Sequence, residues 1–281
     1  MTDRPDYAAV WDTAVGTPWT LTDGVSAVVA MKSMSRNKQP TWQLVNRNSM
    51  EYWEPPAPLH DLKWRSRHKI RGTLHRWDMR AAYLNAAALV DLPYGPLRRG
   101  LFSDTAVGYY QIRITTAQAR ELHLPAPDRK GVMWVTHSML PLLTLVRHEL
   151  IDSWQTAESG RILRSWAEYW RDLLVVHPTL RVPLKRGYAE AFGLMGAKTT
   201  GIYRPDWRHM IIDRVRASLI YRLQRVESFH CGLRPFKVDV DSVWYDLPDE
   251  LRRHTVGETL GVGDRIGQMR YEGSEQPKVK R

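Results

Sequence analysis

The chain has 281 residues, 43% hydrophobic and 25% charged, a globular composition long enough to bury a sizeable core as one large domain or two small ones. Its 41 Lys and Arg against 30 Asp and Glu leave a formal charge of +11, which favours an anionic partner such as nucleic acid or a phosphorylated ligand. The single cysteine, Cys231, excludes an intramolecular disulfide and a multi-cysteine zinc site; with no signal-like N-terminus and no apolar run of about 20 residues, a cytoplasmic protein that does not enter a membrane is expected.

Residues 1–69 read as an N-terminal accessory region ending in a basic linker. Trp11, Trp19, Trp42 and Trp53 are scattered there among polar residues, with one apolar run from Val25 to Met31. Indole rings either cover a core or stack on bases, and packing is the commoner use. The proline-rich stretch from Glu54 to Pro58 reads as a rigid crossing. After it, Arg67, Lys69 and Arg71 stand in a basic run around Trp64, a pattern suited to tracking phosphates.

From Leu74 the pattern is that of a strand reaching Asp78, followed by an alanine-rich helix over Ala81 to Leu89 that Leu92, Pro93, Tyr94 and Gly95 stop. Strands are expected over Tyr109 to Thr115 and Val132 to Val135. Thr136 or Ser138 then caps a helix carrying Leu140, Leu143, Val146 and Leu150. Ser153 to Leu174 and Val182 to Lys198 read as a helical hairpin broken at His177 and Pro178. Ile212, Val215, Leu219, Leu223 and Val226 recur at helical spacing, with Arg214, Arg216, Arg222 and Arg225 mostly off that stripe.

Between Phe236 and Tyr245, β-favouring residues flank Asp239 and Asp241. On a pleated strand both carboxylates lean to one side; at a hairpin bend the alternation is lost but they still cluster. Neighbouring carboxylates repel at neutral pH, and a divalent cation or a shared proton relieves the repulsion. The plain alternative is an acidic turn closing a buried strand.

Other motifs fail on their own terms. His148 and Glu149 open a zinc-protease-like string, but Asp152 stands where the second histidine is needed. Gly261, Gly263 and Gly267 miss the dinucleotide-binding spacing. No Gly-x-Ser-x-Gly occurs, and Cys231 has no nucleophile signature around it.

Three segments do better as an ordered set: Asp78-Met-Arg-Ala-Ala-Tyr83-Leu-Asn85, Lys185-Arg-Gly-Tyr-Ala-Glu-Ala-Phe192-Gly193, and Asp239-Val-Asp241-Ser242. Their order and spacing resemble the three polymerase motifs of family B DNA polymerases, closest to the protein-primed members of phages and linear plasmids. Leu92 to Gly95 match the family's Leu-Pro-Tyr-Gly, and Ile266-Gly267-Gln-Met-Arg-Tyr-Glu272 is similar to its Leu-Gly-x-Trp-x-x-Glu element. In the second motif Lys185 and Gly193 match, Phe192 replaces a tyrosine, and Ala189 and Glu190 stand where Asn and Ser belong. In the third, Lys237 and Val240 depart.

The resemblance implies an α+β polymerase palm over residues 70–281: an antiparallel sheet backed by helices, with a helical fingers hairpin inserted at about 152–198. It implies catalytic acids Asp78, Asp239 and Asp241, with two Mg²⁺ or Mn²⁺ ions held by Asp78, Asp241 and the Met79 carbonyl. It further implies nucleotide contacts from Lys185, Tyr83, Phe192 and Met79, and DNA contacts from Arg67, Lys69 and Arg71. The activity implied is template-directed DNA synthesis from dNTPs on a primer-template, without a proofreading domain and with little thumb, with a priming or other replication protein as a further partner. Ala189 weakens the base pocket and Glu190 is expected to bring negative charge near the triphosphate. Two alternatives stay open: a palm-derived nucleic-acid-binding protein with little or no turnover, and a metal-dependent nucleotide-sugar transferase using Asp239 and Asp241.

Overall fold

A computed structural model of the chain describes residues 5–35, 38, 40–44, 63–66, 69–100, 103, 105–198 and 201–275. In chain order the elements are α1 (Ala8–Val15), α2 (Asp23–Met34), β1 (Lys63–Arg65), β2 (Thr73–Met79), α3 (Ala82–Leu89), β3 (Leu92–Pro93), β4 (Arg98–Arg99), β5 (Val107–Arg113), α4 (Thr116–Glu121) and β6 (Val132–Thr136). They continue with α5 (Leu140–Leu143), β7 (Glu149–Thr156), β8 (Ser159–Gly160), α6 (Arg164–Val176), α7 (Arg181–Leu194), α8 (Pro205–Phe229), β9 (Lys237–Asp239), β10 (Ser242–Leu247), α9 (Glu250–Leu260) and β11 (Met269–Glu275). Two compact units emerge, one from the described residues within Met1–Pro56, Tyr83–Tyr109 and Ser153–Ile212, the other from those within Ala57–Ala82, Tyr110–Asp152 and Asp213–Arg281. The α+β class with antiparallel sheets is as expected.

In the first unit α2, α6 and α7 pack on one another. The tryptophans serve this packing: Trp11 is fully buried and meets Trp170 edge-on at 5.5 Å, and Trp42 meets Trp207 at 5.4 Å. Trp53 and the proline-rich crossing lie outside the described residues. Close approach of α2 and α7 depends on Gly187, where an added Cβ would come within 3.0 Å of the Asp23 carbonyl. Arg204, fully buried, donates to the Pro93 carbonyl at 2.7 Å and the Thr41 carbonyl at 2.6 Å, so the Leu92-Pro-Tyr-Gly95 turn is gripped by a charge that Asp206 balances.

The expected helix from Ser153 begins instead at Arg164, because Glu149–Thr156 is strand β7. Its inward residues are Ser153 and Gln155, held by polar bonds such as Ser153 Oγ to the Gly100 carbonyl at 2.8 Å, so the strand shows no apolar alternation. The expected helix through Leu150 likewise stops after one turn, at Leu143, with the Thr144 hydroxyl donating to the Pro141 carbonyl at 2.8 Å.

In the second unit the sheet order is β1-β9-β10-β2-β11, antiparallel throughout. Along β2 the side chains of His75, Trp77 and Met79 turn into the core, where Trp77 packs against Tyr245 and Tyr271. The opposite face carries Leu74, Arg76 and Asp78. The C-terminal half of α8 buries Val215, Leu219, Leu223 and Val226, as the stripe requires. Arg216 is not on a wet face, however. It pairs with Asp213 at 3.0 Å, both buried, and desolvation raises the Asp213 pKa although Arg216 and the Thr136 amide pull it down.

Candidate functional site

Three strands bring the sequence-predicted acids together. The β9–β10 hairpin closes through a two-residue turn, Val240–Asp241, with Asp239 opposite Ser242. Asp239 therefore ends a strand while Asp241 occupies the bend, so the hairpin form of the sequence expectation is the one adopted. Val240 has φ +60°, the left-handed position at which such turns ordinarily place glycine, and a β-branched side chain there is strained by about 1–3 kcal/mol. Register then sets Ser242 opposite Asp78 on β2, and the Met79 amide donates to the Asp241 carbonyl at 3.0 Å. Ala81, at φ +45°, turns the chain out of β2 into α3, so non-glycine left-handed residues bracket the corner on both segments. On the other side of β2, Met269 pairs with Met79, and the Gly267 amide donates to the Arg80 carbonyl at 2.8 Å, so the Ile266–Glu272 element borders the Asp78 strand.

The acids interact. Asp241 is pushed up to about 6, first by burial and then by the neighbouring Asp78 carboxylate, with Asp239 adding less. Arg76 works against this rise, standing 3.9 Å from Asp78 and 3.3 Å from the Ser242 hydroxyl, which itself donates to Asp78. Lys237 stands 3.5 Å from Asp239. Both cations lie over the Trp244 ring, Lys237 at 4.1 Å and Arg76 at 5.0 Å, while Arg65 lies over Phe236 at 5.1 Å. This sheet face thus couples carboxylates to a row of cations seated on aromatic rings. In the sequence Lys237 is a departure from the third motif and Arg76 belongs to no motif; only the strand register reveals that they share a face with the acids.

The donors at this corner are hard oxygens, which suit Mg²⁺ or Mn²⁺ and not zinc. A cation would also relieve the repulsion that raises Asp241. Asp78, Asp241 and the Met79 carbonyl fit such an ion as a donor set, although among the described residues no three His, Cys, Asp or Glu side chains are grouped as ligands.

Of the residues expected on DNA, Arg67 lies outside the described residues. Lys69 and Arg71 have exposed side chains. Their stretch is anchored by Asp246, whose carboxylate accepts from the Arg71 amide at 2.7 Å and the Gly72 amide at 2.8 Å.

Of the expected nucleotide-binding residues, Tyr83, Lys185 and Phe192 lie in the first unit and Met79 in the second. Lys185 is exposed on α7, on the helical face that also carries Ala189 and Phe192. A cavity of about 240 Å³ is lined by Tyr83, Ala189, Phe192, Gly193, Arg208, Ile211 and Ile212, with the Tyr83 and Phe192 rings 6.2 Å apart. Its cation, Arg208, went unremarked in the sequence because no motif points to it.

Glu190 proves to be engaged elsewhere. Its carboxylate accepts from the Gly24 amide at 3.0 Å in the first turn of α2, where the helix dipole favours a negative charge. Arg186, one turn earlier, stands 3.6 Å from Asp23 on the same helix end. The expectation that Glu190 charges the nucleotide cavity is therefore replaced by a capping role, made possible because Gly24 has no Cβ to collide with it.

A five-stranded antiparallel sheet with carboxylates at a hairpin and a neighbouring strand end, in a chain that also carries a paired-helix unit, defines a polymerase-like fold. Solved structures agree. The chain is similar to Phi29 DNA polymerase in its orthorhombic crystal form, at TM-score 0.61 and 14% identity over 90% of this chain and 52% of that one. It is similar to the same polymerase complexed with primer-template DNA and incoming nucleotide substrates at TM-score 0.62 and 12% identity, over 95% and 55% of the two chains. With primer-template DNA alone the values are 0.61 and 14%, over 95% and 54%. The chain spans about half the length of these structures, and at such identities the likeness is one of fold. No family model and no curated protein matches the chain. Among the described residues no helix is long and apolar enough to cross a membrane.

Proposed function

We propose that the chain is a template-directed DNA polymerase of the family B type, adding deoxynucleotides from dNTPs to the 3′-hydroxyl of a primer-template. The observation that carries this reading is the coupling of Asp241 to Asp78 across the Ser242–Asp78 register. A carboxylate raised by burial and by a second carboxylate beside it is a place where a divalent cation is favoured, and the similarity in fold to a DNA polymerase supports the reading of what such a cation would serve.

Asp78, Asp241 and the Met79 carbonyl would hold two divalent ions, which when bound activate the attacking hydroxyl and neutralise charge on the leaving pyrophosphate. Asp239, beside Lys237, is the less committed acid. The rings of Tyr83 and Phe192 offer faces to a nucleoside, Lys185 and Arg208 offer charge to its phosphates, and Lys69 and Arg71 offer charge to the nucleic-acid backbone. A priming or other replication protein is a further expected partner. Extension of a labelled primer-template by the purified chain with dNTPs and Mg²⁺ or Mn²⁺ tests the reading: wild type extends, and Asp78→Ala and Asp241→Asn do not. Extension that survives both substitutions would mean another protein or another site is responsible.

A second reading has its own observation. Ala189 leaves the cavity wall beside Phe192 without the amide that the family's second motif supplies there. A palm that binds nucleic acid with little turnover accounts for this, and it would show salt-dependent DNA binding without metal-dependent extension.

A further inference from the structure

A second cavity, of about 640 Å³, belongs wholly to the second unit and shares no residue with the acidic corner. It is lined by Arg113 and Ile114 leaving β5, Thr115 and Gln118 opening α4, Lys130 and Gly131 before β6, and Arg147, His148 and Glu149 entering β7.

The charges in this cleft are unbalanced. Arg113 is matched by Glu149 at 2.6 Å. Lys130 and Arg147 have no carboxylate partner among the described residues, and both are exposed. Asp128, two residues before Lys130, turns its Oδ1 to the Lys130 and Val132 amides, each at 2.8 Å, and makes no ion pair with the Lys130 ammonium. Two uncompensated positive charges therefore face the opening, beside the His148 ring.

The rim is also fixed in place. Gly131, at φ +75°, turns the chain, donates to the Asp128 carbonyl at 2.9 Å and accepts from the Ile114 amide at 2.9 Å. On the other side, Gln118 closes a capping box with Thr115, and its side-chain amide donates to the Arg147 carbonyl at 2.6 Å. Loops carrying Lys130 and Arg147 are thus tied to β5 and α4, which lowers the ordering cost of a bound anion.

No Phe, Tyr or Trp lines the cleft, and its one imidazole, His148, is held against the Val146 carbonyl at 3.2 Å, so the cleft lacks a broad ring face for a base. That separates it from the cavity of Tyr83 and Phe192, and it points to an extended anion whose charges repeat. We infer that this cleft is a second nucleic-acid site, in which Lys130 and Arg147 contact the phosphodiester backbone of a strand without reading its sequence. The inference does not require turnover, so it stands or falls apart from the polymerase reading.

The test is fluorescence anisotropy of labelled oligo-dT with the 281-residue chain across a salt series, comparing wild type with the Lys130→Ala/Arg147→Ala double variant. Each lost phosphate contact removes about 0.7 from the slope of log affinity against log salt for a single strand, so the double variant is expected to lose about 1.4. The charge-preserving Lys130→Arg/Arg147→Lys pair is expected to restore the slope, with circular dichroism confirming that all forms are folded. An unchanged slope in the alanine variant overturns the inference, as does failure of wild type to bind oligo-dT. An equal loss of affinity for free dATP also overturns it, by making the cleft a mononucleotide site.

Discussion

The acidic corner of the second unit and the α7 cavity of the first were expected from the same set of motifs, yet they have fared differently. At the corner, Asp78, Asp239, Asp241 and Ser242 are all present and mutually engaged, with Arg76 and Lys237 beside them. In the cavity, two rings, a glycine and a cation stand beside the small, apolar Ala189, while the neighbouring Glu190 has turned to cap another helix. The lesson is that the two places are built differently. The acidic corner is assembled by backbone register, the cavity by individual side chains.

The largest expected effect breaks the corner. Asp241→Asn or Asp78→Ala removes a carboxylate from the proposed cation site, and extension is expected to fall by about a thousandfold or more, equivalent to about 4 kcal/mol of lost charge stabilisation. Steady-state extension rates check this. Glu258→Gln, which changes an exposed carboxylate on α9 of the same unit outside the corner, is the control and is expected to leave the rate within about threefold.

A smaller effect sharpens the cavity side. Ala189→Asn restores an amide beside Phe192 and is expected to lower KM for dNTP by about fivefold, the value of one modest hydrogen bond, with kcat little changed. Arg208→Ala moves KM the opposite way. If neither substitution alters KM, the cavity is not where the nucleotide binds.

Glu190→Ala separates capping from catalysis. Loss of the bond to the Gly24 amide lowers unfolding stability by about 1 kcal/mol, read from urea denaturation, and leaves KM for dNTP unchanged. A lower KM without loss of stability would restore the idea that Glu190 repels the triphosphate.

The smallest effect is one of pH. His123 is buried, and burial lowers its pKa although the Glu227 carboxylate, accepting from Nε2 at 3.1 Å, pulls it up, with Arg234 opposing. The unfolded chain therefore binds a proton that the folded chain resists. This contribution to stability is fully present above the unfolded value near 6.5 and is lost as pH falls from there through the lower folded value. His75 and His230 shift in the same direction for the same leading reason. Urea midpoints are expected to fall between pH 7.5 and pH 5.5, and His123→Gln is expected to flatten part of that fall.

Much of this was legible in the sequence because it rests on short-range pattern. The strand to Asp78, the alanine-rich α3, the apolar stripe of α8 and the clustering of Asp239 with Asp241 all follow from periodicity and β-propensity. What was hidden depends on contacts far along the chain. Strand β7 buries Ser153 and Gln155, so a period of two was present but written in polar residues. The bend at Val240 sets a β-branched residue at positive φ, against local preference, and strand pairing on both sides holds it there. Glu190 and Arg208 acquired their surroundings only from α2 and α3, more than a hundred residues earlier. The cleft of Lys130 and Arg147 joins four separate segments, and the sequence around His148 suggested only a failed zinc motif.

The central claim is that Asp78 and Asp241 form one divalent-cation site, whatever the state of the α7 cavity. Equilibrium binding of Mn²⁺, followed by the loss of the free-ion paramagnetic resonance signal, tests it without any need for turnover. Asp78→Ala and Asp241→Asn are each expected to weaken the tightest site by more than about tenfold, while Glu258→Gln leaves it unchanged. Mn²⁺ affinity that is the same in wild type and in both corner variants would contradict the account.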